Sequence, residues 1–82
     1  MTAYAATDRF ETIDMEKTGE NIARLRKNSG ISVKELQEAF GFTSPQAIYK
    51  WQWGQCIPEV QNLWNLARIL GVSVEEILVF NH

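Results

Sequence analysis

The sequence predicts an all-α fold of five helices, and three observations carry that prediction. Ser-x-x-Glu occurs twice, as Ser32 with Glu35 and Ser73 with Glu76, and an apolar series at helical spacing follows each time. In such a capping box the serine hydroxyl and the glutamate carboxylate each accept an N–H that the first helical turn leaves unpaired, so each box marks a helix start. Glycines then stand just past the apolar series, at Gly41, Gly54 and Gly71. A left-handed residue ends a helix at such a position, and glycine adopts it at least cost. No stretch reads as a strand and there is no internal repeat, so 82 residues make one domain.

In chain order, residues 1–17 show no clean period. Asp8, Glu11, Asp14 and Glu16 alternate irregularly with Phe10, Ile13 and Met15, which reads as a flexible arm whose apolar residues dock on the body, the other reading being a wholly disordered tail. The folded unit is expected over residues 18–80. Helix 1 is expected from Thr18, as cap, to Asn28, with Ile22, Ala23 and Leu25 along it and Arg24, Arg26 and Lys27 toward its C-terminal end, where the dipole favours cations. Helix 2 follows Ser32, with Val33, Leu36, Ala39 and Phe40 on its apolar face, and ends at Gly41. Thr43-Ser44-Pro45 restarts the chain as helix 3, a hydroxyl cap followed by a proline that the first turn tolerates. Ala47, Ile48 and Trp51 form its inward face. After the loop Gln55–Pro58, helix 4 carries Val60, Leu63, Trp64, Leu66, Ala67, Ile69 and Leu70, a face broad enough for a mostly buried helix. Ser73 opens helix 5 through Val74, Ile77, Leu78 and Val79.

Helices 2 and 3, joined by a tight glycine-containing turn, form a helix-turn-helix, whose second helix commonly lies in a DNA major groove. The formal charge of −2 is unusual for a nucleic-acid binder. Its distribution is more favourable. Between Asn21 and Pro58, five basic residues (Arg24, Arg26, Lys27, Lys34, Lys50) face only Glu35 and Glu38, while the flanking segments are net acidic. A locally basic middle still meets phosphates, weakly and with strong salt dependence.

The wider pattern resembles the Cro/repressor-type helix-turn-helix family, also called the xenobiotic-response-element (XRE) family of bacterial and phage regulators. It is carried by Leu25-Arg26, Gly30-Ile31-Ser32, Leu36, Gly41-Phe42, Ile48-Tyr49-Lys50-Trp51, Gly54 and Pro58. Leu63, Leu66, Ala67, Leu70-Gly71-Val72-Ser73 and Glu76-Ile77-Leu78 continue it, so the likeness spans about residues 18 to 80. It implies a lambda-repressor-like DNA-binding domain, transcriptional control as a repressor, double-stranded DNA as partner, and a homodimer on a two-fold operator. Family dimers often form near the last helix, here Ile77, Leu78 and Phe80; the other reading of Phe80 is that it folds back onto helix 1.

Three departures from the family pattern stand out. Val33 occupies the place of a glutamine that often reaches phosphate and base. The turn from Gly41 to Ile48 is one residue longer than is common, resembling a subgroup with a Ser-Pro-Gln-Ala-Ile-Tyr-Lys-Trp helix. Gln52 replaces the glutamate that pairs with the helix 1 arginine, so a neutral hydrogen bond at most is expected to hold Arg26.

A recognition helix reads bases from its N-terminal turns, and counting back from Ile48 and Trp51 leaves Pro45, Gln46, Tyr49 and Lys50 outward. Gln46 is placed to bond an adenine edge and Lys50 a guanine or a phosphate, with Tyr49 stacking or donating to a phosphate. A second reading makes Gln46 the end of a T-x-x-Q capping box begun at Thr43. Thr43 and Ser44 are caps first and phosphate contacts second. Lys34 and Arg24 are phosphate candidates set against plain solvated charge, and Gln55 is one through its side chain or backbone N–H. Trp51 and Trp64 are expected in the core. Trp53, two positions from Trp51, covers helix 4 or the following loop, or else stands exposed as a platform for a protein partner or a DNA backbone.

Nothing points to catalysis, a metal or a cofactor. The one histidine, His82, is terminal, and the one cysteine, Cys56, reads as a small buried or half-buried hydrophobe. No apolar run approaches the ~18 residues that span a bilayer, and no basic-then-apolar leader opens the chain, so a cytoplasmic protein without membrane or small-molecule substrate is expected. The alternative to a DNA regulator is a protein-interaction or antitoxin-like module on the same scaffold, with weak DNA binding or none.

Overall fold

The computed structural model describes residues 10–81; the arm as far as Arg9, and His82, lie outside the described residues. Five helices follow in order: α1 (Met15–Asn28), α2 (Val33–Phe40), α3 (Gln46–Gln52), α4 (Val60–Leu70) and α5 (Val74–Ile77). Among the described residues the one extended pairing is an isolated antiparallel bridge between Ile13 and Phe80.

Helix α1 starts before Thr18, the expected cap. Asp14 holds that place, its carboxylate accepting the Lys17 N–H at 2.9 Å. Thr18 is instead fully buried in the helix. Its hydroxyl accepts the Val79 N–H at 2.9 Å and donates to the Val79 carbonyl at 3.3 Å. One turn on, the Asn21 amide donates to the carbonyls of Glu76 and Ile77, at 2.7 and 2.9 Å. These are carbonyls that the end of α5 leaves without helical partners. The backbone of Thr12 and Asp14 completes the seam, bonding Asn81 and Val79. This corrects the expected end of the last helix: α5 stops at Ile77, and Leu78 is already extended, because α1 takes the groups a further turn would need. Phe80 accordingly lies half-buried opposite Ile13, ahead of α1.

Both capping boxes form in full, at Ser32 with Glu35 and at Ser73 with Glu76. Gly41 and Gly71 end α2 and α4 in the left-handed conformation. The Glu35 carboxyl is held below the ordinary carboxylate range by the Ser32 backbone N–H first, and by the Ser32 hydroxyl second. Helix α3 opens differently from expectation. Pro45 is its N-cap and no side chain caps it; the Ser44 hydroxyl reaches the Gln46 N–H only at 3.5 Å, and the Thr43–Gln46 box does not form.

Ile22, Leu36, Ile48, Trp51, Leu66, Ala67, Leu70 and Ile77 make the core. Ala39, expected on the inward face of α2, is exposed. A larger correction concerns α4, which is buried along one side only. With Leu66, Ala67 and Leu70 inward, Trp64 is turned about 100° around the helix from half-buried Leu63 and stands 59 % exposed, with Val60 at 84 %. Trp64 is therefore not a core residue. Cys56 is exposed as well.

Candidate nucleic-acid interface

The seat of α3 is built from both sides. On the turn side, Phe40 and Phe42 stack at 5.1 Å, and each meets the Trp51 ring edge-on, at 5.5 and 5.9 Å. Edge-to-face aromatic contacts of this kind add directional preference to simple apolar burial. The Gln37 amide donates to the Phe42 carbonyl at 3.2 Å, tying the turn to α2.

On the other side, α1 crosses the end of α3 with backbone against backbone. A Cβ on Gly19 would lie 2.6 Å from the carbonyl oxygens of Trp51 and Gln52, and one on Gly54 would lie 2.9 Å from Glu16 Cα and the Met15 carbonyl. Gly54 also has φ +74°, which side chains other than glycine's adopt with strain. Arg26 adds a polar tie: its Nε donates to Gln52 Oε1 and its Nη1 to the Ile31 carbonyl, both at 2.8 Å. The neutral hydrogen bond expected in place of an ion pair is thus formed. Gly19 was missed in the sequence, although a glycine inside a helix, which costs about 1 kcal/mol against alanine, was a signal that something approaches it.

Held in this way, α3 buries Ile48 and Trp51 and turns Gln46, Tyr49 and Lys50 to solvent. Thr43 and Ser44 are exposed just ahead of it and Pro45 is half-buried. With its capping box absent, Gln46 keeps its side chain out of the helix start. Lys34 is exposed in the first turn of α2. Gln55 exposes its side chain, but its backbone N–H donates to the Lys50 carbonyl at 3.0 Å, closing the end of α3, so the expected backbone contact to phosphate is already spent.

Arg24 falls apart from the other candidates. It lies on α1, hydrogen-bonded to the Asn21 side-chain oxygen, in an open groove shared with Lys27 and Trp53. Trp53 is 62 % exposed and stacks on Tyr49, with ring centroids 5.5 Å apart and planes 19° from parallel. The exposed reading of Trp53 is the one the fold adopts, and the stack extends the outward face of α3 toward Arg24. Among the described residues no group of His, Cys, Asp and Glu is placed to hold a metal ion, and no helix is long and apolar enough to cross a membrane.

A helix-turn-helix family model matches residues 22–77. The chain is 39 % identical over 67 residues to an uncharacterised HTH-type transcriptional regulator, y4dJ, of Sinorhizobium fredii, covering 80 % of this chain and 86 % of that one. Among solved structures, the restriction-modification controller protein C.AhdI of Aeromonas hydrophila superposes with a TM-score of 0.69 at 25 % identity, over 78 % of this chain and 96 % of that one. The BldD DNA-binding domain of S. venezulae shares the fold, with a TM-score of 0.67 at 24 % identity, over 79 % and 96 % of the two chains. With matched residues running from the core of α1 to the end of α5, the protein belongs to the Cro/repressor-type helix-turn-helix family of transcriptional regulators.

Proposed function

We propose that this protein is a sequence-specific repressor that binds double-stranded DNA as a homodimer, placing α3 in the major groove at each half of a two-fold operator. The observation that carries the reading is the division of α3 into two faces: Ile48 and Trp51 anchor it, while Gln46, Tyr49 and Lys50 present an amide, a phenol and an ammonium group to solvent. Those groups match the edges of adenine and guanine and the phosphates beside them. Thr43, Ser44 and Pro45 ahead of the helix, Lys34 on α2, and the side chains of Gln55 and Arg24 would flank the groove as backbone contacts. The test is selection from random duplex DNA, followed by anisotropy titration at several salt concentrations. A two-fold motif should emerge, and Lys50→Ala should weaken binding and reduce the slope of log affinity against log salt by about 1 if Lys50 meets a phosphate. Failure to bind any duplex at low salt would refute the proposal.

One observation favours a second reading, a protein-interaction or antitoxin-like module. The exposed Tyr49–Trp53 stack is a large rigid aromatic surface on a net acidic chain, and such residues anchor protein contacts. If Trp53→Ala leaves DNA binding intact but abolishes association with a protein bound by the wild type, that surface is a protein site in its own right.

A further inference from the structure

We propose that Trp53 is a positioning residue for sequence reading: stacked on Tyr49, it holds that ring where α3 meets the 5-methyl group of a thymine. The proposal rests on the major-groove reading above and names the group that one part of α3 would recognise there.

Tyr49 and Trp53 are four residues apart, so their side chains fall on one face, and long helical side chains lean toward the N-terminus. Trp53 therefore backs the Tyr49 ring from the C-terminal side, in the near-parallel stack described above. Its own place is set by the clamp on α1. The Trp53 N–H donates to the Tyr49 carbonyl at 2.8 Å; Gln52 before it is held by Arg26, and Gly54 after it packs on Met15 and Glu16. The clamped end of α3 thus supports a side chain in the middle of the reading face. A ring fixed in advance loses little rotational freedom when it meets a base.

Chemistry selects what that ring meets. Stacking occupies one face of it, the side chain stays exposed, and its hydroxyl makes no bond among the described residues. It is an apolar surface between two polar outward groups, Gln46 and Lys50. In the major groove the base edges offer donors and acceptors, which suit the amide and the ammonium, and one apolar group, the thymine methyl, which suits the ring. Charge favours DNA over a protein surface. Lys50 stands beside Tyr49, and Trp53 walls an open groove that carries Arg24 and Lys27 against one carboxylate, Glu20. Cations on both sides of an aromatic pair suit a partner whose bases lie between rows of phosphates.

Anisotropy titration with a duplex recovered from the random pool, and with copies in which each thymine in turn is replaced by deoxyuridine, tests this. Deoxyuridine keeps every pairing hydrogen bond and removes only the methyl. The wild type should lose about fourfold in affinity at one thymine of each half-site, the worth of one buried methyl group. Tyr49→Phe should keep that ratio and Tyr49→Ala should abolish it. Trp53→Ala, with thermal melts showing it folded, should bring the ratio near one without changing the salt dependence, and Trp53→Phe should restore it. Lys50→Ala should weaken both duplexes alike and leave the ratio as it is. A selected site in which no thymine responds, or a Trp53→Ala variant with the wild-type ratio, would overturn the inference and leave the proposed function standing. So would a Trp53→Ala variant that weakens both duplexes equally and flattens the salt dependence, which would make Trp53 a phosphate contact. Loss of the ratio in Tyr49→Phe would overturn it too, by assigning the contact to the hydroxyl. A wild type that binds no duplex at all would sink the proposed function and this inference together, and leave the stack to the protein-interaction reading.

Discussion

The two ends of α3 are built on opposite terms. At the C-terminal end the carbonyls of Trp51 and Gln52 lie against Gly19 with no space for a methyl group, Gly54 closes onto Met15 and Glu16, and Arg26 holds Gln52. At the N-terminal end the helix opens on Pro45 without a side-chain cap, and Thr43, Ser44 and Gln46 are exposed. One end is clamped by backbone contact; the other is left with its polar side chains uncommitted. Orientation of a short helix can be set from one end, because seven residues make a rod of only about 10 Å. The clamped end supplies that orientation, and the open end keeps its polar groups available.

The largest test of this contrast is Gly19→Ala. In an exposed helix interior the change would stabilise by about 1 kcal/mol, since glycine is the poorer helix former. Here the new methyl meets backbone carbonyls at 2.6 Å, so α1 and α3 must part, and a loss of about 3 kcal/mol is expected. Urea denaturation gives the sign directly. A stabilised Gly19→Ala would mean that the clamp is loose and α3 is held only by its apolar face.

Next in size is the polar part of the same clamp. Gln52→Ala removes the acceptor for Arg26 Nε while the Ile31 carbonyl still holds Nη1, so a loss of about 1–2 kcal/mol is expected. Gln52→Glu should go the other way, by about 1 kcal/mol, because a carboxylate makes the bond charge-assisted. Thermal melts of the two variants at low and high salt would check both, with the glutamate gain shrinking as salt rises. If Gln52→Glu is neutral, the guanidinium is too well solvated for the exchange of amide for carboxylate to matter.

How much of this was legible in the sequence divides along the same line. Features closed within four or five residues could be read: the two capping boxes, the left-handed glycines at 41 and 71, and the apolar period that carries Ile48 and Trp51 inward. The Arg26–Gln52 bond was legible through the family resemblance, which pairs those positions. What depended on a distant partner was not. Thr18 looked like a cap because threonine caps helices, but Asp14 is also a strong cap, and only the arrival of Val79 gives the threonine hydroxyl its use. Trp64 looked internal because apolar residues are dense along α4, although one helix face cannot bury all of them against a single neighbouring layer. The arrangement of Arg24 beside Trp53 likewise depends on the crossing of α1 over α3, which the Gly19 contact sets.

A smaller effect, on the helix that precedes the open end, is the capping box of α2. Ser32→Ala should cost about 1 kcal/mol, the usual worth of a serine cap. The same box makes a pH prediction. Because Glu35 titrates below the ordinary carboxylate value of 4.5 in the folded chain, its stabilising contribution is complete above that value and is lost as pH falls through the lower, folded one. The stability difference between wild type and Glu35→Gln should therefore be present at neutral pH and close in acid. A difference that stays constant down to the acid limb would show that the N–H bonds to Glu35 do not favour its charged form.

The smallest effect on stability, and the one that most sharpens the contrast, is expected at the open end itself. Gln46 and Lys50 are exposed and make no side-chain bond among the described residues, so Gln46→Ala and Lys50→Ala should each change the unfolding free energy by less than about 0.5 kcal/mol. If α3 reads DNA as proposed, the same substitutions should differ from one another in binding. Loss of a bidentate amide at a base edge costs about 1–3 kcal/mol and relaxes sequence preference at one position, whereas loss of a phosphate contact weakens binding to all sequences and flattens the salt dependence. Stability and selection measured on the same two variants would therefore separate a helix end reserved for recognition from one that is simply exposed: stability stays put in both cases, and only the first changes what the protein selects.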